Sequence, residues 1–180
     1  DVRLFRSASF TAATVLAMLS FAAFGGFLFL NALYLQETRG LPASAAGFMT
    51  LPVALGLMIS SPISGRLVGA GYARLAIAIA GGAIFGGALL LTRLTHDTPL
   101  SQLLVAYALF GVGVGSIGAP VNTTAVAALP RSQAGVAAAI ASTSRQIGAT
   151  LGVALAASAD GVFGFIAGLG ATIVGVGVVS

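Results

Sequence analysis

The chain has 180 residues, of which 58% are hydrophobic and 7% charged, against roughly a quarter charged in soluble domains. With a mean hydropathy of +1.06, it carries too few polar groups to cover a water-facing surface, and lipid is the solvent that removes the difficulty. Its net charge of +4 comes from arginines spread one or two per segment boundary, which excludes the clustered basic surface of a nucleic-acid binder.

Charges punctuate the chain, and the gaps between them measure the helices. Residues 7–36 are uncharged, then Glu37 and Arg39 mark a loop. Residues 40–65 are uncharged before Arg66 and Arg74, and residues 75–92 before Arg93, His96 and Asp97. Residues 98–130 precede Arg131; residues 132–159 are broken only by Arg145; residues 161–180 follow Asp160. Spanning a bilayer takes about 20 apolar residues, so each gap holds one helix and none comfortably holds two. The predicted helices are 9–36, 43–64, 74–93, 100–122, 133–158 and 161–180. They form one all-α transmembrane domain. Runs this long, without alternation of period two, exclude a membrane β-barrel.

Pro42, Pro99 and Pro130 sit at or just before helix starts, where a missing N–H costs little. Pro52, Pro62 and Pro120 fall within or near the ends of spans, where kinks are expected. Gly82-xxx-Gly86, Gly111-xxx-Gly115 and Gly164-xxx-Gly168 place small residues along one helix face. That pattern lets neighbouring backbones approach closely, although glycine is also simply common in membrane helices. A cytoplasmic N-terminal end puts Arg3, Arg6, Arg66, Arg74 and Arg131 inside and only Arg39 and Arg93 outside, the sense of the positive-inside bias. The chain begins at Asp1 and stops within an apolar run, so a fragment of a longer chain is expected.

Arg145 is the most informative residue. It splits its segment into 132–144 and 146–159, each too short to cross alone, so a spanning helix holds the guanidinium within the membrane at a cost of a few kcal/mol or more. Ser142, Arg145 and Gln146 share one face at i, i+3 and i+4 spacing, and that face should meet the bundle or a wet cavity. The other reading is that Arg145 snorkels to the cytoplasmic interface and serves topology or packing. Asn122 follows Pro120 near the end of the fourth helix, from which the fifth departs, so it is placed to approach Arg145 or Gln146; a helix-end cap is the alternative. Asn31 and Gln36 are weaker polar candidates on the first helix. Phe21, Phe24 and Phe27 form a stripe that either lines an apolar substrate cavity or packs against lipid and neighbours.

Enzymatic chemistry finds little support. With no cysteine, there is no thiolate or disulfide, and His96 alone builds no metal site. Gly113-Val114-Gly115-Ser116-Ile117-Gly118 matches G-x-G-x-x-G, but it lies inside an uncharged span with no acidic residue before Asp160, so a dinucleotide site is excluded. An intramembrane serine protease needs a Ser and a His side by side. Here His96 and Ser64 fall on opposite sides of the bilayer. No cofactor is expected.

Tyr34-Leu35-Gln36, Gly40-Leu41-Pro42, Ala46-Gly47 and Leu51-Pro52 resemble the C-terminal half of the drug:proton antiporters in the 14-helix branch of the major facilitator superfamily. Pro120-Val121-Asn122, Leu129-Pro130, Ala134-Gly135, Ser144-Arg145-Gln146-Ile147-Gly148 and Leu151-Gly152-Val153-Ala154 are similar to that branch's late helices. The resemblance covers nearly the whole chain. It implies a cell inner-membrane transporter that exports hydrophobic, often cationic, drugs against proton entry by alternating access. It also implies an N-terminal half that supplies the proton-carrying carboxylates. Gly65-Arg66-Leu67-Val68 resembles the superfamily's inner loop motif, with Arg74 at its last basic position. Gly69, Ala70 and Gly71 stand where that motif has an acidic residue, a basic residue and glycine. A non-transporting or differently coupled membrane subunit is the alternative.

Overall fold

The computed structural model describes residues 8–95, 98–127, 134–158 and 171–172. Arg3, Arg6, His96, Asp97, Arg131, the Gly164/Gly168 pair and nearly all of the predicted last helix lie outside the described residues. The described residues include six α-helices: α1 (Ala8–Leu33), α2 (Ala43–Met49), α3 (Leu51–Gly69), α4 (Ala73–Leu91), α5 (Leu100–Ala127) and α6 (Ala134–Ser158). A π-helical turn, Tyr34–Thr38, prolongs α1. No strand occurs among the described residues.

Among the described residues four segments are long and apolar enough to cross a membrane: Thr11–Thr38, Ala43–Gly69, Ala73–Leu91 and Leu100–Thr123. The second differs from its single predicted helix over 43–64. It is interrupted at Thr50, whose N–H bonds back to Gly47 at 3.2 Å. Pro52, in the first turn of α3, has no N–H with which to continue the ladder across this point. At its far end α3 runs on to Gly69 and stops in a Schellman turn. There the Gly71 N–H bonds to the Val68 carbonyl at 3.0 Å, and the Tyr72 N–H to the Leu67 carbonyl at 2.8 Å. Gly71 holds φ at +88°, a conformation that side chains resist. The turn is therefore made by Gly71, a position where the resembled loop motif also has glycine.

α5 is the hub. It packs on α3, α4 and α1, while α6 lies along α1. The sequence of α5 explains how three neighbours fit. β-Carbons at Gly111 and Gly115 would collide with the α3 backbone at Val53 and Leu57. One at Gly113 would stand 2.7 Å from the Ile84 nitrogen on α4. The G-x-G-x-G run thus presents bare backbone to two helices at once. Ser64 Oγ donates to the Ser116 carbonyl at 2.5 Å and Ser61 Oγ to the Gly115 carbonyl at 3.1 Å, fastening α3 to α5. On α4 the expected Gly82/Gly86 pair is half met, since a β-carbon at Gly86 would stand 3.2 Å from the Leu109 side chain of α5. Gly82 meets nothing, and Gly87 makes the close approach, 3.0 Å from the Phe110 nitrogen.

The core between α1 and α5 is aromatic. Phe27 stacks on Phe110 with ring centroids 4.4 Å apart and meets Tyr107 edge-on at 5.6 Å. Phe27 is thereby a packing residue, the alternative left open for its stripe. Large apolar side chains cover the outside, including Met58, Ile63, Ile79, Phe85 and Leu151, as a lipid-solvated surface requires.

Candidate functional site

Arg145 occupies the middle of α6, and α5 and α1 both reach it. Its Nη1 donates to Asn122 Oδ1 at 3.1 Å, and its guanidinium lies 5.8 Å from the centroid of the Phe21 ring, within cation–π range. Phe24 meets Phe21 edge-to-face at 6.3 Å. One cation, one amide and two aromatic rings from three helices therefore form a single cluster. Among the described residues no carboxylate pairs with the guanidinium, and its remaining N–H groups are open to a further acceptor.

Close helix packing sets this geometry. β-Carbons at Gly148 and Gly152 would strike the carbonyl oxygens of Met18 and Ala22, so glycine at both positions brings α6 against the α1 backbone. Ala141, Ser144, Gly148, Gly152 and Ala156 form the buried stripe of α6. Arg145 stands at its edge, half-buried. Ser142 is half-buried beside it, while Gln146 is exposed and offers only its backbone carbonyl to Thr150 Oγ1, at 2.9 Å. Of the predicted face of Ser142, Arg145 and Gln146, Arg145 is thus the member that meets α1 and α5, through Phe21 and Asn122.

Asn31 stands apart from this cluster, further along α1. It is 3% exposed and accepts a hydrogen bond from Tyr107 Oη. Gly65, Arg66 and Arg74 are exposed around the α3–α4 turn, and neither arginine forms an ion pair among the described residues.

At the opposite end lies a clamp that the sequence did not announce. Arg39 Nε donates to Tyr34 Oη at 2.9 Å, and Tyr34 Oη donates to the Thr95 carbonyl at 2.9 Å. Arg39 Nη2 also donates to the Thr98 carbonyl, and its guanidinium lies 5.5 Å from the Tyr34 ring centroid. The signal available beforehand was an arginine five residues after a tyrosine at a helix end. Its partners are backbone carbonyls some 60 residues away, which no local pattern shows.

The Major Facilitator Superfamily profile matches residues 2–153. The chain is 36% identical over 158 residues to the multidrug resistance protein Stp of Mycobacterium tuberculosis, covering 88% of the chain and 29% of Stp. It is 41% identical over 136 residues to the puromycin resistance protein pur8 of Streptomyces alboniger, covering 73% and 27%. With the multidrug efflux pump LfrA of Mycolicibacterium smegmatis it shares 30% identity over 158 residues, covering 86% and 31%. The chain spans about three tenths of the length of these relatives. With a bundle of apolar helices and a profile match over most of its length, the chain belongs to the Major Facilitator Superfamily.

Proposed function

We propose that this chain is part of the C-terminal half of a drug exporter in a cell inner membrane, which moves hydrophobic or cationic compounds outward against proton entry. Its partners in that reading are the lipid bilayer, the N-terminal half of the same transporter, protons and a small hydrophobic substrate. The start of α1 faces the cytoplasm, in keeping with the arginine count. The names of the relatives support the export of drugs, and the Arg145–Asn122–Phe21 cluster supports a site on this half.

The observation that carries the role of this cluster is the Asn122 Oδ1 contact at 3.1 Å, which holds a cation mid-helix without a carboxylate beside it among the described residues. Such a cation is costly in hydrocarbon. It is offset when an acidic group approaches, and it favours the ionised form of that group. A carboxylate of the N-terminal half that nears Arg145 in one state of the alternating-access cycle would release its proton there. Phe21 and Phe24 then offer aromatic wall to an apolar or cationic substrate. The reaction makes and breaks no covalent bond.

Ethidium efflux from cells expressing the full-length protein tests the reading. Efflux abolished by an uncoupler supports proton-driven export, whereas efflux that ignores the uncoupler rejects it. Arg145→Ala and Arg145→Gln should slow efflux and move its pH dependence. Unchanged rates and pH profile in both variants reject the role of Arg145.

A further inference from the structure

A cavity of about 130 Å³ opens on the outer side of the bundle, where α3 and α4 part over α5. It is lined by Ile59, Ile63 and Leu67 of α3, by Ile79 of α4 and by Val112 and Ser116 of α5. Both flanking helices pack on the bare backbone of α5, at Gly111 and Gly115 on one side and Gly113 on the other, and they touch each other little. From Ile59 to Leu67 the lining runs about 12 Å along α3, so the space is a long, narrow groove. The serine hydroxyls of its wall turn to backbone carbonyls. Ser64 Oγ donates to the Ser116 carbonyl at 2.5 Å, Ser116 Oγ to the Val112 carbonyl at 2.7 Å, and Ser60 Oγ faces the Leu57 carbonyl at 3.5 Å. Ile59, Ile63 and Ile79 are exposed, so the groove opens outward and presents hydrocarbon.

One end of this groove is charged. The Schellman turn at Gly71 closes it, with Arg66 in the last turn of α3 and Arg74 in the first turn of α4, both exposed. Arg66 follows Ile59 by about two helical turns and so lies down the same flank of the groove. Tyr72, 60% exposed, stands one turn before the lining residue Ala76, whose N–H bonds to the Tyr72 carbonyl at 3.1 Å. The chain has no Asp or Glu between Glu37 and Asp97, so this stretch of sequence brings the two arginines no counter-charge of its own. Tyrosine and arginine together at a helix end are residues that settle at the headgroup level of a bilayer.

We propose that the α3–α4 groove holds one acyl chain of an anionic phospholipid, with the phosphate of its headgroup held by Arg66 and Arg74. The groove supplies the fit for an extended chain, whereas a ring such as benzene takes a rounder cavity of about 150 Å³. The arginines supply the choice of headgroup. Phosphatidylglycerol brings them a net negative charge, while phosphatidylcholine carries its own cation beside its phosphate. Each basic residue near the membrane surface favours an anionic lipid about fivefold, and guanidinium can bond phosphate through two parallel N–H groups. A free phosphate ion would use only the arginines and a neutral hydrocarbon only the groove; an amphiphile uses both. The site is separate from the Arg145 cluster and depends neither on drug export nor on which way the chain crosses the membrane.

Phosphatidylglycerol and phosphatidylcholine that carry a diazirine in one acyl chain separate the headgroup from the chain. The full-length protein in phosphatidylcholine liposomes receives a trace of either probe and is irradiated, and the adducts are mapped by mass spectrometry. Labelling of Phe85, exposed on α4 away from the turn, sets the scale, because contact there is with chains alone. The phosphatidylglycerol probe should label Ile59, Ile63 or Ile79 roughly tenfold more than the phosphatidylcholine probe. Arg66→Gln and Arg74→Gln should each cut that preference about fivefold, and Arg66→Lys should keep most of it. Ile63→Trp, at an exposed position, narrows the groove and should lower labelling of Ile59 and Ile79 by both probes. Equal labelling by the two probes, or a preference that survives the loss of both arginines, overturns the proposal. So does an absence of groove adducts beside normal labelling of Phe85, the result expected if another part of the protein covers this face.

Discussion

Arg145 Nη1 donates to Asn122 Oδ1 at 3.1 Å, joining the middle of α6 to the last turns of α5. These two helices otherwise touch little, since α6 rests on α1. The contact is therefore a tie between elements rather than a by-product of their packing. Hydrogen bonds between membrane helices average about 0.6 kcal/mol, with a ceiling near 1.7 kcal/mol. A double-mutant cycle of Arg145→Gln and Asn122→Ala, read by thermal unfolding in detergent, should give a coupling of about 0.6 kcal/mol. Additive effects would mean the two side chains act independently.

Glycine at position 152 carries more structural weight than glycine at position 82. A β-carbon at 152 would collide with the Ala22 carbonyl, whereas one at 82 meets open space. Backbone cannot yield as a flexible side chain does, so Gly152→Ala should destabilise by about 1–3 kcal/mol, as overpacking does. Gly82→Ala should be neutral or stabilising by up to about 1 kcal/mol, the helix preference of Ala over Gly. Unfolding midpoints of the two variants in one detergent decide the matter. Equal shifts would refute the α1–α6 contact.

Much of the fold was legible because membrane helices advertise themselves by length and hydropathy, both local properties. Arg145 stood out for the same reason: a charge mid-span is visible without neighbours. That Asn122 could reach it followed from the fifth helix departing from the side on which Asn122 ends the fourth. Whether the pair takes part in transport is a separate question, open to the efflux test. What escaped the sequence depends on distant partners. Tyr34 and Arg39 read as a helix end and a loop charge, because the carbonyls of Thr95 and Thr98 that they grip come from another loop. Gly82 and Gly87 belong to one helix, and only the placement of Phe110 decides which of them faces α5. The break at Thr50 was hidden because hydropathy does not change across it.

The Tyr34–Arg39 clamp should govern the loop between α4 and α5. Tyr34→Phe removes both the acceptor for Arg39 Nε and the donor to the Thr95 carbonyl. Each such bond contributes about 1 kcal/mol, so amide exchange between Thr92 and Thr98 should quicken several-fold while the core of α5 stays protected. Arg39→Lys should fail to restore protection, because an ammonium cannot bond two acceptors in the fixed fork that guanidinium offers. Exchange rates in Arg39→Lys that match the wild type would show that charge alone suffices.

Tyr107 and Asn31 form the polar pair within the aromatic core. Tyr107→Phe keeps the ring contact with Phe27 but deprives the Asn31 oxygen of its donor. An unsatisfied buried acceptor costs about 1–3 kcal/mol. Adding Asn31→Leu to Tyr107→Phe should recover part of this, since removing both partners leaves no orphaned group. The comparison needs only unfolding curves for the single and double variants. A double variant less stable than Tyr107→Phe alone would contradict the pairing argument.

The outer face of α4 offers the sharpest check on what solvates this bundle. Leu75, Ile79, Phe85 and Leu89 are exposed on that helix, while Ile84, beside Phe85, is fully buried against α5. If acyl chains cover the exposed row, an arginine near its centre must be held in hydrocarbon or pull toward the interface. Insertion scales put that cost at about 3 kcal/mol, so Phe85→Arg should sharply reduce the amount of membrane-inserted protein, whereas Phe85→Leu should leave it unchanged. A nitroxide attached at position 85 reports on the same surface directly. It should collide with dissolved oxygen more often than with a polar nickel chelate, because oxygen partitions into hydrocarbon. At position 79, about one and two-thirds turns away on the same helix, the same ratio should hold. A reversed ratio at both positions, together with normal insertion of Phe85→Arg, would place water rather than lipid against α4.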